Sequence, residues 1–385
     1  MHTKKGILPL MFYLFFAYSL ITIMSGYMPI YFQFQGLTQS QIGILMAMGP
    51  LASVFAQPFW GYMSDKWKTI KRVLIICVIS TLVAALIFFQ VTSYPAMMFF
   101  LFCLFLFLAP CTALGDSLTQ KTAFQHHVNF GSIRMWGSLG FAVTSLITGW
   151  ILEKWSPGII YLPFFLCGTA ALILVLLLSD TAPAKKPVTI VHALSLGKRP
   201  EIVYFLGLVF LISIGHRAND SFLGLFVVEL GGGESMIGQA WFVGVVSEAA
   251  VFALSALWFR RYPPLIFIII AGFLYSGRWL IMSTLDDPVH IIWIQILHGI
   301  TFGLMYFSSL NYISRIIPEE LQATGHLLFI TTFFGISGIT GALAGGWLME
   351  NFSGAGLYQT LALFSAAGAA LLIFYTLRVR KNTAV

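Results

Sequence analysis

Six ionisable side chains lie inside otherwise apolar segments and are the residues best placed to do chemistry. They are three acids and three arginines: Asp116, Asp220, Glu248, Arg134, Arg217 and Arg278. An ionisable side chain at the centre of a bilayer costs about 2.5 to 3.5 kcal/mol on insertion scales. Because acids and arginines are equal in number, pairing around a polar cleft would offset that cost. Such a cleft would bind a polar or anionic solute or carry a proton.

Each of these residues also has a structural interpretation. Arg217 and Asp220 are three positions apart and share a helix face, so they are able simply to neutralise each other. Arg278 is close enough to the end of its segment to reach the interface, and Asp116 and Arg134 are compatible with interfacial charges. Glu248 lies about twelve residues from either end of its segment, too deep for its short side chain to reach water.

The composition predicts that lipid surrounds most of the chain. Its 385 residues are 58% hydrophobic and 9% charged, with a mean hydropathy of +0.89, whereas soluble domains carry about 25% charged residues. Crossing about 30 Å of hydrocarbon takes roughly 20 helical residues. Since lipid cannot satisfy open backbone groups, the spanning segments are expected to be helices. A water-soluble fold is excluded.

Polar, glycine, proline and charged clusters divide the chain into twelve predicted transmembrane helices. They lie near 7–32, 41–63, 72–91, 96–119, 131–152, 159–179, 201–227, 236–259, 264–284, 289–314, 321–349 and 356–378. The longest polar connection, residues 180–200, separates them into predicted six-helix bundles at 1–179 and 201–385. The predicted fold is therefore an all-α membrane protein of two pseudo-symmetric bundles, with a cleft between them.

The basic residues predict the orientation in the cytoplasmic membrane. Apart from those inside spans, Lys and Arg fall on the side of the N-terminus, and Lys154 is the exception. Short positive loops resist translocation, so both termini are expected in the cytoplasm. The +7 net charge is spread over short clusters, which argues against a nucleic-acid partner. A monomer without a cofactor is expected, with the lipid bilayer, a small-molecule solute and a proton as its partners.

A weak internal repeat supports the two-bundle prediction. The segment Trp150–Ser156 resembles Trp347–Ser353, 197 residues later. An offset of half the chain with six spans in each unit indicates parallel repeats about an axis along the membrane normal. Chance similarity between apolar segments is the alternative.

The connection between the second and third spans carries a family motif. It contains Gly61, Asp65, Lys66, Lys71 and Arg72, and it resembles the G-x-x-x-D-[R/K]-x-G-x-[R/K]-[R/K] loop of the major facilitator superfamily. The second glycine is missing and the basic pair comes one residue late. The resemblance implies a loop that pairs charges to lock the cytoplasmic face; the alternative is an ordinary positive-inside loop.

The fourth and fifth spans resemble one branch of that superfamily, the lactose, phenylpropionate and nucleoside-proton permeases. The segment Pro110–Asp116 is followed by Asn129–Gly140, whose F-G-S-I-R-M-W-G matches an arginine motif of the branch. The acid and the arginine are 18 residues apart in both alignments. The resemblance implies that Asp116 and Arg134 contact the substrate.

The resemblance extends into the second half of the chain. It implies that Glu248 binds substrate and that Asp220, Arg278 and His298 serve proton coupling. Two positions depart from the lactose permease, since Gln295 replaces a lysine and Thr301 replaces the proton-carrying glutamate. An ordinary hydrogen-bonding histidine is the alternative at His298.

Together these observations predict a secondary active transporter that is not an enzyme. Alternating access with proton-coupled symport of an aromatic acid, a sugar or a nucleoside is the favoured mechanism. Proton-coupled efflux by antiport is the alternative, although the fifth span lacks the Gly-Pro motif typical of drug antiporters. The segment Gly335–Gly338 also matches the G-x-S-G of intramembrane serine proteases, but no motif supplies a partner histidine.

Overall fold

The structure, a computed structural model, describes residues 6–180, 196, 199–254, 262–318 and 321–383. The described residues are helical almost throughout and contain no strand. In chain order the helices are α1 (Ile7–Phe34), α2 (Gln39–Trp67), α3 (Ile70–Phe88), α4 (Tyr94–Gln125), α5 (Phe130–Lys154), α6 (Tyr161–Leu177), α7 (Pro200–Glu229), α8 (Glu234–Leu254), α9 (Pro264–Met282), α10 (Val289–Ile316), α11 (322–352) and α12 (354–383). Most of the predicted linker at 180–200 and the end of the predicted span near 236–259 lie outside the described residues.

The last two helices run into each other without a loop. Within the described residues, eleven helical stretches are long and apolar enough to cross a membrane, and the last of them covers 54 residues, Thr324–Leu377. At 1.5 Å per residue that stretch would be about 80 Å long, far more than the hydrocarbon thickness. Ser353 interrupts it with φ 63° and ψ 176°. The helix therefore divides at Ser353 into α11 and α12, which agrees with the predicted spans near 321–349 and 356–378.

Local sequence sets where several helices begin. Thr38 and Gln41 form a reciprocal capping box at the start of α2, and Thr69 and Asn129 cap α3 and α5 with side-chain oxygens. Other helices extend past their predicted ends. For example, α4 reaches Gln125, whereas the apolar segment predicted an end near 119. Apolar composition marks the hydrocarbon region, and helix formation continues into water until a turn stops it.

Two helices contain a π-helical turn that the sequence did not predict. One covers Ile23–Tyr27 in α1, and the other covers Thr331–Ile336 in α11. Such turns widen the helix locally and are often found at functional sites. The turn in α11 contains Phe333, whose ring lies 5.5 Å from that of His216.

The helices pack into two compact units, each described here by itself. Unit 1 comprises the described residues of Met1–Pro187 together with Gly233–Phe242, and unit 2 those of Val188–Gly232 and Val243–Val385. Within unit 1, Gly233–Phe242 packs on α5, where a Cβ on Gly149 would lie 2.5 Å from the Glu234 carbonyl oxygen. Within unit 2, a Cβ on Gly341 of α11 would lie 2.9 Å from backbone atoms of α7, so this small residue lets the two helices pack closely.

The repeated sequence segments have the same ring packing. Trp150 and Trp155 make an edge-to-face contact with centroids 5.6 Å apart, and Trp347 and Phe352 make the equivalent contact, also at 5.6 Å. These are corresponding positions at the offset of 197. The shared geometry supports a structural repeat rather than chance similarity.

Gly140 is the closest approach between α1 and α5. A Cβ at this position would lie 2.2 Å from the backbone oxygen of Phe15, which cannot move aside as a side chain can. We expect Gly140→Ala to destabilise the protein by about 1–3 kcal/mol through overpacking. Gly277→Ala is the control, because its Cβ would meet nothing within 4 Å. Both variants gain the same helix propensity, so equal melting temperatures would contradict the packing described.

Candidate functional site

Unit 1 joins three side chains from three helices. Arg134 Nε of α5 forms an ion pair with Asp116 Oδ1 of α4 at 2.9 Å, and the hydroxyl of Tyr18 on α1 donates to Asp116 Oδ2 at 2.7 Å. The Arg134 guanidinium carbon also lies 4.0 Å from the centre of the Tyr18 ring. The Arg134 and Asp116 side chains are 27% and 32% exposed. The two charges therefore pair, and the pair is neutral in sum and partly exposed.

Glycines make room for this group. A Cβ on Gly137 would lie 2.6 Å from the Tyr18 ring and 2.8 Å from the Arg134 guanidinium. A Cβ on Gly115 would lie 3.1 Å from Tyr13 of α1. The glycine that ends the arginine motif thus allows the ring and the guanidinium to stack.

The tyrosines of α1 have different roles. Because aromatic residues make up 16% of the chain, core packing is the role that the sequence favours for Tyr13, Tyr18 and Tyr27. Tyr13 and Tyr27 are buried and donate to the backbone carbonyls of Cys111 and Ser145, as packing residues do. Tyr18 also packs against the core of unit 1, and its hydroxyl in addition donates to the charged side chain of Asp116. Tyr18 is four residues after Leu14, so both lie on the face of α1 that packs against α4. The sequence alone does not show which face of α1 packs against α4.

Unit 2 contains a second polar group on α7. Arg217 Nη1 donates to Asp220 Oδ2 at 2.5 Å, which confirms the expected contact three residues apart. His216 Nε2 lies 3.7 Å from the same oxygen, and His216 Nδ1 shares a hydrogen bond of 3.1 Å with the Tyr275 hydroxyl. The His216 ring stacks on Phe302 at 4.9 Å. His216 was not predicted, although its spacing of four from Asp220 places both on one helix face.

Arg278 of α9 lies beside this group and is buried. Only 1% of its surface is exposed, so it does not reach the interface as one sequence interpretation allowed. Its Nη2 donates to Gln295 Oε1 at 2.5 Å, and its Nη1 lies 3.4 Å from His298 Nδ1 and 3.5 Å from Thr301 Oγ1. The two positions that depart from the lactose permease, Gln295 and Thr301, are thus both in contact with Arg278.

Glu248 lies where α8 and α10 pack most closely. A Cβ on Gly299 would be 2.2 Å from the Glu248 backbone nitrogen, so only glycine fits there. The Ser247 hydroxyl accepts from the Gly299 N–H at 3.0 Å and holds the two helices together. The Glu248 side chain is partly exposed. Its neighbour across this contact is the stretch that carries His298.

The predicted conformational loop is mostly helical. Gly61, Asp65 and Lys66 belong to the last turns of α2, and Lys71 and Arg72 to the first turn of α3. A Cβ on Gly61 would meet nothing within 4 Å, so none of the described helices packs closely against this glycine. Lys68 takes a left-handed conformation, with φ 54°, and turns the chain between the helices.

Asp180, which the sequence analysis did not single out, fastens this loop. Its carboxylate accepts from the Thr69 hydroxyl at 2.6 Å and from the Lys71 backbone N–H at 3.1 Å. Lys71 Nζ in turn donates to the Leu176 carbonyl at 2.8 Å. Asp180 therefore places a negative charge at the N-terminus of α3, where the helix dipole favours it.

Removing this carboxylate should weaken unit 1. We expect Asp180→Ala to lower stability by about 1–2 kcal/mol, because the first turn of α3 loses an acceptor and a dipole partner. Asp286→Ala, at an exposed loop position, is the control. Thermal unfolding of the purified variants measures the difference. Identical melting temperatures would show that Asp180 does not anchor α3.

The serine of the G-x-S-G match is hydrogen-bonded to another serine. Ser337 Oγ is buried and shares a hydrogen bond of 2.6 Å with Ser213 Oγ of α7. This is a packing contact between two helices. In the part of the chain that the structure describes, no group of His, Cys, Asp or Glu is arranged to hold a metal ion.

Comparison with known proteins agrees with this architecture. The chain is 27% identical to the maltose permease of Geobacillus stearothermophilus, over 98% of this chain and 96% of that protein. It is 26% identical to a protein of Escherichia coli (strain K12) described as a probable 3-phenylpropionic acid transporter, over 85% of this chain and 87% of that protein.

Solved structures show the same fold. The nucleoside transporter NupG superposes with a TM-score of 0.83 at 18% identity, covering 99% of this chain and 100% of that one. Residues 7–360 match the sequence profile of the MFS_1 like family. The chain therefore belongs to the MFS_1 like family and is a multi-pass membrane protein and secondary transporter of the major facilitator superfamily, not an enzyme.

Proposed function

We propose that this transporter takes up a small polar or anionic solute together with a proton. The observation that carries the proposal is the division of the ionisable side chains into two groups. Asp116 and Arg134 form a partly exposed, neutral pair in unit 1, and Asp220 lies in unit 2 beside two cationic or basic side chains. The first group suits a solute, and the second suits a proton.

In unit 1 the proposed substrate residues are Asp116 and Arg134, and in unit 2 the proposed substrate residue is Glu248. A carboxylate that accepts and a guanidinium that donates can hydrogen-bond neighbouring groups of one ligand. The Tyr18 ring beside them offers a flat apolar face. Aromatic acids, sugars and nucleosides all combine polar groups with a face that can stack, and relatives named for maltose, 3-phenylpropionic acid and nucleosides support those classes.

The proton would bind near Asp220, Arg278 and His298. Asp220 Oδ2 holds Arg217 and His216, while its Oδ1 is buried and has no hydrogen-bond partner among the described residues. A buried carboxyl oxygen without a partner gains from taking up a proton. The carboxyl would then be neutral in one state of the cycle and charged in the other, which is the requirement for coupling by alternating access.

The proposal also includes an arrangement in the membrane. The bundles at 1–179 and 201–385 would act as a monomer, joined by the linker at 180–200, with both termini in the cytoplasm. The excess of Lys and Arg on the side of the N-terminus supports this orientation. The loop that contains Gly61, Asp65, Lys66, Lys71 and Arg72 would then lie at the cytoplasmic face, where Asp180 fixes one end of α3.

A thermal-shift screen against aromatic acids, sugars and nucleosides tests the solute assignment. A ligand at 100 times its Kd adds about 2.7 kcal/mol to the stability of the folded state. We expect one class to raise the melting temperature of the wild type and not that of Arg134→Ala or Glu248→Gln. An equal shift in both variants would remove these residues from the solute site.

A further inference from the structure

Arg278 carries a buried positive charge, and in the described part of the chain the nearby acid Asp220 makes its direct ion pair with Arg217 rather than with Arg278. Its three polar side-chain partners are Gln295, His298 and Thr301, and none is a carboxylate. No acid of the described residues forms an ion pair with it. Arginine stays protonated in proteins, so the charge cannot be removed by losing a proton. A buried charge without a counter-ion is strongly destabilising.

The other two intramembrane arginines differ in this respect. Arg134 pairs with Asp116 at 2.9 Å, and Arg217 pairs with Asp220 at 2.5 Å. Each of these arginines is also more than a fifth exposed, at 27% and 23%. The one arginine that is fully buried is therefore also the one whose described contacts are all neutral.

Hydrogen-bond donors around Arg278 also lack acceptors. Arg278 Nε and Gln295 Nε2 are both buried without a partner among the described residues. They belong to side chains that are already joined, since Arg278 Nη2 donates to Gln295 Oε1. Each unsatisfied buried donor costs about 1–3 kcal/mol. Arg278 and Gln295 therefore offer a guanidinium N–H and an amide N–H side by side. A ligand that carries negative charge and acceptor atoms would complement both donors.

We propose that Arg278 and Gln295 form an anion site in unit 2 that binds the carboxylate of a transported monocarboxylate. This inference rests on the proposed function, because it names the substrate class that the transporter would carry. A carboxylate supplies two acceptor oxygens in one plane, which matches the forked donors of a guanidinium. Chloride supplies the same charge without that geometry, and the test below distinguishes the two sources.

The surroundings favour an anion with an apolar body. The Arg278 guanidinium carbon lies 4.5 Å from the centre of the Trp279 ring. On α10, the His298 ring stacks on Phe302 with centroids 6.1 Å apart. Phe302 in turn contacts Tyr306 of the same helix at 5.3 Å and Phe333 of α11 at 5.9 Å. Arg278 and Gln295 are each 1% exposed, so the anion reaches them only when side chains rearrange, as they do in a transport cycle.

Thr301 offers a decisive variant. Its hydroxyl lies 3.5 Å from Arg278 Nη1 but donates to the Leu297 carbonyl of its own helix at 2.8 Å. Thr301→Glu would place a carboxylate of the chain beside the guanidinium and so supply the counter-ion internally. Thr301→Gln adds the same volume without the charge. The two variants therefore separate charge neutralisation from side-chain size.

The experiment measures the melting temperature of the purified full chain with sodium phenylacetate and a panel of related aromatic monocarboxylates, with the matching primary amides, and with sodium chloride alone. We expect at least one carboxylate to raise the melting temperature by several degrees and its amide to leave it unchanged. The shift should persist in Thr301→Gln and disappear in Thr301→Glu and in Arg278→Gln.

Several results would overturn the proposal. They are an equal shift from the amide, a shift with chloride and with none of the carboxylates, no shift from any anion, or an undiminished shift in Arg278→Gln. Should Thr301→Glu fail to fold, Arg278→Gln decides alone. Proton-coupled uptake of a neutral solute without any carboxylate shift would end this inference and leave the proposed function. A carboxylate-induced rise in melting temperature together with uptake that does not depend on a pH gradient would support this inference and end the proposal of proton coupling.

Discussion

Arg134→Ala should abolish solute uptake while the protein remains folded in the membrane. Truncating one partner of a hydrogen-bonded charge pair costs about 2–5 kcal/mol in binding, which corresponds to about 30-fold or more in affinity. Here the loss leaves Asp116 with the Tyr18 hydroxyl as its remaining described partner and removes the guanidinium that stacks on the ring. Radiolabelled uptake in cells, normalised to the amount of folded protein, measures the effect.

Two further variants sharpen this result. Arg315→Ala removes an arginine whose Nε donates to Asn311 four residues earlier, at a partly exposed position, and should keep uptake. Tyr18→Phe keeps the ring and loses the hydrogen bond of 2.7 Å to Asp116, so a smaller loss of about 1.5–3 kcal/mol is expected. Uptake by Arg134→Ala at the wild-type level would contradict the assignment of Asp116 and Arg134 to solute binding.

Asp220→Asn should abolish proton coupling while solute binding and exchange are retained. An asparagine cannot take up a proton, but it keeps the size of the side chain and a hydrogen-bond acceptor for Arg217. One pH unit across the membrane is worth about 1.4 kcal/mol, so a 1:1 symporter can concentrate a neutral solute about tenfold. In Asp220→Asn that accumulation should fall to simple equilibration, while exchange of labelled for unlabelled solute continues.

The contrast between accumulation and exchange makes this prediction specific. A misfolded variant loses both activities, whereas a variant that lacks only the proton carrier loses one. Asp287→Asn serves as the control, because Asp287 caps the exposed start of α10 through the Val289 N–H at 2.8 Å and lies away from the buried group. Accumulation by Asp220→Asn as steep as that of the wild type would exclude Asp220 as the proton carrier.

Hydropathy predicted the fold because backbone N–H and C=O groups inside lipid must be hydrogen-bonded within the chain, which makes apolar spanning segments helical. The predicted spans agree with the helices in number and order, once Ser353 is recognised as the break between α11 and α12. The ends agree less well, as α4 shows by continuing to Gln125. Apolar composition reports where lipid begins, whereas capping residues and turns decide where a helix stops.

The charged members of the two polar groups could be named from the sequence, whereas their partners could not. Ionisable residues in apolar segments stand out in a sequence, so Asp116, Arg134, Asp220 and Arg278 were singled out as candidates. Tyr18 and His216 do not stand out, since polar aromatic residues also occur in ordinary packing. Several helices here are apolar on every face, so the sequence does not show which side faces a neighbouring helix. The partners of each charge therefore required the structure.

The side chains that surround Arg278 could likewise be identified only from the structure. The sequence showed that Gln295 and Thr301 replace charged residues of a related permease, and this left the proton carrier open. The structure places both replacements on the guanidinium of Arg278, at 2.5 and 3.5 Å. Both departures therefore contact the same buried guanidinium.

The most direct test of proton-coupled uptake uses the purified wild type in proteoliposomes with an imposed pH gradient and a solute identified by thermal shift. With the outside acidic, the account predicts uphill accumulation that collapses when a protonophore removes the gradient. With the gradient reversed, the liposomes should lose preloaded solute faster. Accumulation that is the same in both directions, or that is strongest with the inside acidic, would contradict symport.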